Sequence, residues 1–367
     1  MIRRIWNFFF SQRIYTLLFL VLVALWVHAW LAAPEPEYSE PQAQGQPASA
    51  FEKFRKIEDQ FRDRVGAAES FEAYMKENPE VARTYLTTLA VVLGLFSSGV
   101  IVILLWVFTP ALRRAMIRPE IPAHVRWSPA MLFQVVVLFL VLNFPLGFLI
   151  DFLENILFPR VSSNLFTLIH TTLADALCLA LIVWSVTRRG GRWRDLGIPT
   201  SWKQAAKDVL TAWGGYLAVV PLFLLSLIGV LVISQLMAYE PQPHPLVNIF
   251  LEEETRAPLV IWYSIALACL IGPIIEEFFF RGFCYPILKN RLGRGWGMVL
   301  TSGAFAVIHM NQFSFVPIFI LGMGLVAMYE IRKSLVAPAI LHVTHNTLFI
   351  IYFFVMKDLV VRFGVGT

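Results

Sequence analysis

Long runs of apolar residues, separated by short basic or proline-bearing stretches, dominate this chain from end to end. Nine stand out: Ile14 to Ala33, Tyr85 to Phe108, Met131 to Phe152, Leu165 to Val186, Val209 to Met237, Leu259 to Phe280, Trp296 to Ile308, Phe315 to Tyr329 and Leu335 to Val355. A bilayer core about 30 Å thick takes roughly 20 apolar residues per helix, and the seventh and eighth runs are short for that task. Within each run the apolar character is continuous, without the alternation that a membrane barrel with a polar lumen imposes. The pattern predicts an all-α fold, a polytopic transmembrane helical bundle of about 8–9 spans.

The polar positions between the runs divide the chain. Residues 1–33 form an N-terminal membrane anchor: the first apolar run exceeds the h-region of about 7–15 residues expected of a cleaved signal peptide. Residues 34–84 are an extracytoplasmic segment. Within it, Pro34 to Ala50 is rich in Pro, Gln, Ala and Glu and reads as a flexible linker. Phe51, Phe54, Ile57, Phe61 and Val65 then recur at helical spacing among charges, which predicts an amphipathic helix that touches lipid headgroups or caps the bundle. Accessory transmembrane helices follow over 85–196, and the candidate chemistry lies in 197–356. No internal repeat is visible.

Composition agrees with a membrane chain. Of 367 residues 57% are hydrophobic and 15% charged, and the mean hydropathy is +0.66, too apolar for an ordinary water-soluble globule. The net charge of +5 reports orientation rather than a nucleic-acid partner, because the basic residues fall in alternate short loops. Arg3, Arg4 and Arg13 precede the first run; Arg113, Arg114, Arg118 and Arg126, then Arg188, Arg189, Arg192 and Arg194, then Lys289, Arg291 and Arg294, and finally Arg332 and Lys333 mark every second connection. The intervening loops are poorer in base, and one carries Glu252, Glu253 and Glu254. This predicts an integral protein of a bacterial inner (cytoplasmic) membrane with its N-terminus in the cytoplasm and its C-terminus outside. Cys178, Cys269 and Cys284 show no CxxC or metal-ligand spacing and read as small buried apolar residues.

Ionisable side chains inside apolar runs are costly, and the last third of the chain holds most of them. The sixth run ends in Glu276-Glu277-Phe278-Phe279-Phe280-Arg281, the seventh ends in Phe305-Ala306-Val307-Ile308-His309, and the ninth contains His342-Val343-Thr344-His345-Asn346. Residues four apart share a helix face, so Glu277 and Arg281 are expected to pair, and His342 and Asn346 to point into one cavity. Glu276 stands about 100° round the helix from Glu277 and has no local partner. His345 faces elsewhere and reads as a hydrogen-bonded packing residue. A carboxylate beside an imidazole can activate water, while a second imidazole and an amide donate hydrogen bonds to a developing oxyanion. One Glu with two or three His can also hold zinc, although Asn is a poor zinc ligand and the metal-free arrangement is preferred.

The three motifs, EEFFFR as EExxxR, FAVIH as FxxxH and HVTHN as HxxxN, resemble in identity and order those of the CPBP family, which joins type II CAAX prenyl endopeptidases to bacteriocin-processing and bacteriocin-immunity (ABI) membrane proteins. The resemblance covers about 197–354. It implies an intramembrane glutamic endopeptidase, historically called a metalloprotease, in which Glu276 and His309 activate water, His342 and Asn346 form the oxyanion hole, and Glu277 and Arg281 shape the site. The partner it implies is a membrane-associated protein or peptide substrate, without commitment to a prenylated CAAX terminus. Counting from a basic loop taken to begin at Arg281 puts Glu276 roughly 7 Å from the cytoplasmic side and predicts access from there.

The same residues admit rival readings. The same side chains satisfy one another in a polar helix junction, or belong to an immunity or scaffold protein without catalysis. Asn143, His170 and Asp175 in the third and fourth runs suit a transport path. There is no HExxH, GxSG or GxGD motif for the other intramembrane protease chemistries, and Ser302 lies two turns, roughly 10 Å, from His309.

Overall fold

An apolar run in lipid must close its backbone hydrogen bonds within itself, and the helix does so. The computed structural model describes residues 2–32, 50–67, 71–117, 127–199, 201–237, 245–254 and 257–364. In order, the helices are α1 (Ile2–Ser11), α2 (Arg13–Ala32), α3 (Ala50–Ala67), α4 (Phe71–Glu77), α5 (Pro79–Phe108), α6 (Pro110–Met116), α7 (Pro129–Phe152), α8 (Ser163–Thr187), α9 (Trp202–Leu236), α10 (Pro245–Glu253), α11 (Pro258–Ala266), α12 (Gly272–Glu277), α13 (Tyr285–Ile308), α14 (Phe315–Arg332) and α15 (Val336–Gly364). Among the described residues there is no strand. Apart from its last residue, Ala50, the predicted linker lies outside the described residues, as do Arg118 and Arg126.

Among the described residues seven helical stretches are long and apolar enough to cross a membrane, and Arg13–His28 is a shorter apolar helix. One of the seven, Pro258–Ile308, holds both the sixth and seventh apolar runs. Large apolar side chains stand exposed along these helices, Leu259 at 82% and Phe108 at 76% among them, a surface that water would not tolerate and hydrocarbon covers. The chain is an integral membrane protein with an all-α, polytopic fold.

Two compact units make up the chain. The first comprises 1–48 and 123–195. In it Phe8, Phe9 and Phe19 surround Phe133 edge-on at 5.6–6.0 Å, which seats α1 and α2 on α7. Asn143 Oδ1 and His170 Nε2 are buried here and have no hydrogen-bond partner among the described residues.

The second unit, 49–122 and 196–367, is built around α9. Its core joins Tyr216, Val219 and Val220 of α9 to Phe305 of α13, Leu321 and Leu325 of α14, and Leu341 of α15. Close approach needs small residues: a Cβ on Gly99 would stand 2.1 Å from the Leu217 carbonyl oxygen, so only glycine lets α5 meet α9 there. Helix α3 packs on α15 and α10, and its Phe61 and Val65 join Tyr74, Val81 and Leu359 in a small core.

Two features place the candidate chemistry. At Gly293 (φ 82°, ψ 167°) α13 breaks in a conformation that favours glycine. A Cβ on Gly297 would lie 3.0 Å from the backbone of Lys289, so the two arms fold back on each other. The loop expected to begin at Arg281 is therefore not there: Arg281 is fully buried, and the turn comes 12 residues later, at 293. Glu276 thus stands 17 residues before the turn, roughly 25 Å along the helix instead of 7 Å. Arg281 is not a solvated boundary residue, because Glu277 neutralises it inside the bundle.

Basic residues used to predict orientation also hold helices together. Glu330 accepts hydrogen bonds from Tyr285 Oη (2.7 Å), Lys289 Nζ (2.7 Å) and Lys333 Nζ (2.6 Å), which pins α13 to α14 beside the turn. Arg332 Nε donates to buried Asp208 of α9 at 2.7 Å and its Nη1 to the Met116 carbonyl at 2.7 Å. Buried pairs of this kind stabilise weakly when intact and cost heavily when broken.

Candidate active site

The segment that carries the two glutamates is not a regular α-helix. Wider π turns occupy Leu267–Ile271 and Phe278–Cys284, on either side of α12. Such insertions shift the side-chain register by one residue and concentrate at functional sites. In the second, five successive residues, Phe280–Cys284, are buried, so this stretch is enclosed on all sides.

Glu277 and Arg281 form the expected pair at 2.7 Å, with side chains 1% and 0% exposed. Arg281 Nη2 also donates to the Gly322 carbonyl at 3.3 Å, and the guanidinium lies 4.6 Å from the centre of the Phe305 ring. The same Glu277 oxygen receives His342 Nδ1 at 2.9 Å. On the other side of that imidazole, Nε2 stands 3.8 Å from Glu276 Oε2. His342 is thus held between the two adjacent carboxylates. Glu276 is the more open of them: its side chain is 31% exposed, and its buried Oε2 has no hydrogen-bond partner among the described residues.

Asn346, one turn along α15, has a structural cause for its position. In the first π turn the Gly272 N–H bonds to the Leu267 carbonyl five residues back. The next carbonyl in that ladder, Ala268, would take its hydrogen from residue 273, but Pro273 has none. Asn346 Nδ2 donates to Ala268 O at 2.8 Å instead. An amide nitrogen carries two hydrogens, so one remains for a further acceptor.

His309 sits at the C-terminus of α13, half-buried, with Nδ1 2.7 Å from the Phe305 carbonyl. A carbonyl accepts only, so Nδ1 carries a proton, and in the neutral imidazole Nε2 keeps its lone pair. Its ring meets Phe305 edge-on at 4.8 Å, and Phe305 in turn meets His342 at 5.5 Å. The structure therefore brings Glu276, Glu277, Arg281 and His342 into one contact group and links His309 to it through the Phe305 ring. His345 lies apart, among Tyr216, Phe223 and Phe349, and packs through ring contacts rather than a hydrogen bond.

Residues 258–348 match the sequence model of the family described as type II CAAX prenyl endopeptidase Rce1-like. The bundle carries a CAAX-protease-like domain. The match runs from the first residue of α11 to two residues beyond Asn346 and contains all three motifs, within the wider 197–354 that the resemblance suggested. No curated protein and no solved structure matches the chain. A membrane bundle with such a domain points to protease chemistry in general.

Within the CAAX-protease-like domain, Phe305 is the member whose part the sequence reading missed. In sequence it is only the first letter of a motif, yet in the fold its ring carries the Arg281 guanidinium and its carbonyl orients His309. The Gly272-Pro273 pair was the visible signal for the Asn346 contact. Zinc fits the donors poorly: Glu277 is engaged by Arg281 and His342, and among the described residues no group of three or more His, Cys, Asp or Glu side chains is arranged to hold a metal ion.

Proposed function

We propose that the CAAX-protease-like domain is an intramembrane endopeptidase that hydrolyses a peptide bond of a membrane-associated protein or peptide with a water activated by Glu276 and His309. His309 Nε2 accepts a hydrogen bond from the water and aims it, and Glu276 takes its proton as the oxygen attacks the carbonyl carbon. The new oxyanion receives His342 Nε2–H and the second N–H of Asn346. Because His342 Nδ1 donates to Glu277, this role needs a proton on both ring nitrogens. The proton on Glu276 then passes to the amide nitrogen, the C–N bond breaks, and the amine and acid leave.

The reading rests on His342 standing between Glu277 at 2.9 Å and Glu276 at 3.8 Å, within three motifs of a protease-like domain. A polar helix junction would have no use for a carboxylate left open beside an imidazole. The test compares protein termini in membranes from cells that express the native chain or Glu276→Gln at equal level. Termini that disappear in the variant identify both the activity and the substrate. Processing that continues unchanged in both Glu276→Gln and His309→Ala would sink the proposal and leave a scaffold or immunity role.

A further inference from the structure

Outside the protease-like domain, the first unit contains a cavity of about 250 Å³ where the start of α2, the start of α7 and the end of α8 meet. Tyr15, Gln134, Trp184, Ser185, Arg188 and Arg189 line it. Its wall is built by a relay of side chains: Gln134 Nε2 donates to Gln12 Oε1 at 2.6 Å, and Arg189 Nη2 donates to Gln134 Oε1 at 3.2 Å. Arg188 is held differently, with its guanidinium 5.1 Å from the Trp184 ring. Among the described residues neither arginine has a carboxylate partner.

Arg188 and Arg189 are exposed side chains without a carboxylate partner at the mouth of one polar cavity, so both guanidinium groups are open to an anion. Arginine pairs two N–H groups with two oxygens of one phosphate, and the tyrosine hydroxyl and Ser185 supply further donors. All six lining residues sit at one end of the spans, with Trp184 and Tyr15 at the level where aromatic side chains meet headgroups. The basic residues there belong to the loops that positive-inside counting assigns to the cytoplasm. Basic pockets between membrane helices bind phosphate headgroups. We infer that this cavity binds a phosphate anion, namely the headgroup of an anionic phospholipid or a free phosphate from the adjoining solution.

The test is native mass spectrometry of the full chain in detergent, titrated separately with phosphatidylglycerol, phosphatidylcholine and inorganic phosphate. Arg188→Gln is compared with Arg194→Gln, which removes the same charge from the same connection but outside the cavity. Arg194 stacks on Trp193 at 5.7 Å and does not line the pocket. The expected result is retention of phosphatidylglycerol or of inorganic phosphate but not of phosphatidylcholine, weakened about fivefold by Arg188→Gln and unchanged by Arg194→Gln. Retention of the lipid assigns the headgroup, and retention of inorganic phosphate alone assigns the soluble anion. Equal weakening in the two variants, equal retention of phosphatidylcholine, or no effect of Arg188→Gln would overturn the inference. Gel-filtration profiles check that both variants fold, and Arg188→Lys, which keeps the charge but loses the paired donors, should fall between them.

Discussion

Glu276 and Glu277 are neighbours of one residue type, yet the structure gives them very unequal sensitivities to the same change. Glutamine at 277 removes the charge that neutralises Arg281, whose side chain is wholly buried. The guanidinium is then left with neutral neighbours, the Gly322 carbonyl at 3.3 Å, the rings of Phe305 and Phe280 and the new amide, and no carboxylate in contact. Breaking a buried ion pair from one side costs about 3–5 kcal/mol, so Glu277→Gln should lose stability on that scale. Glutamine at 276 removes a carboxylate that is 31% exposed and has its nearest ionic neighbour at 3.8 Å; the expected change is within roughly 1 kcal/mol. Reversible unfolding in mixed detergent micelles, with retained activity of the native chain as the reference, measures both. The double variant Glu277→Gln/Arg281→Met should lose less than the sum of the single losses, because it leaves no orphaned charge. Equal stability of the two single variants, or strict additivity in the double, would refute the claim that Glu277 neutralises a buried cation.

Asn346→Ala should act twice. It leaves the Ala268 carbonyl without a donor, costing about 1–3 kcal/mol in the same unfolding assay, and lowers the cleavage rate by about 10²–10³ through loss of an oxyanion donor. A rate unchanged at full folding would confine Asn346 to its structural contact. Incubation of the purified protein with 1,10-phenanthroline should leave cleavage intact under the metal-free mechanism; inhibition reversed by added zinc would overturn that mechanism.

Much of this protein is written along its chain. Each apolar run specifies its own helix, because in lipid the backbone has no other way to satisfy its hydrogen bonds. The Glu277–Arg281 pair was legible for a similar reason: both residues lie on one helix, four positions apart, and local geometry brings them together. The tertiary structure decided what joins residues of different helices. That His342 stands between Glu276 and Glu277, 65 positions away from the latter, depends on where α15 crosses α12 and on the register shift of the π turns, and helical periodicity encodes neither. Asn346 finds Ala268 only because a proline strands that carbonyl opposite α15. The burial of Arg281 and the turn at Gly293 were hidden likewise: a basic residue at the end of an apolar run looks the same in sequence whether water or a carboxylate receives it, and only packing distinguishes the two.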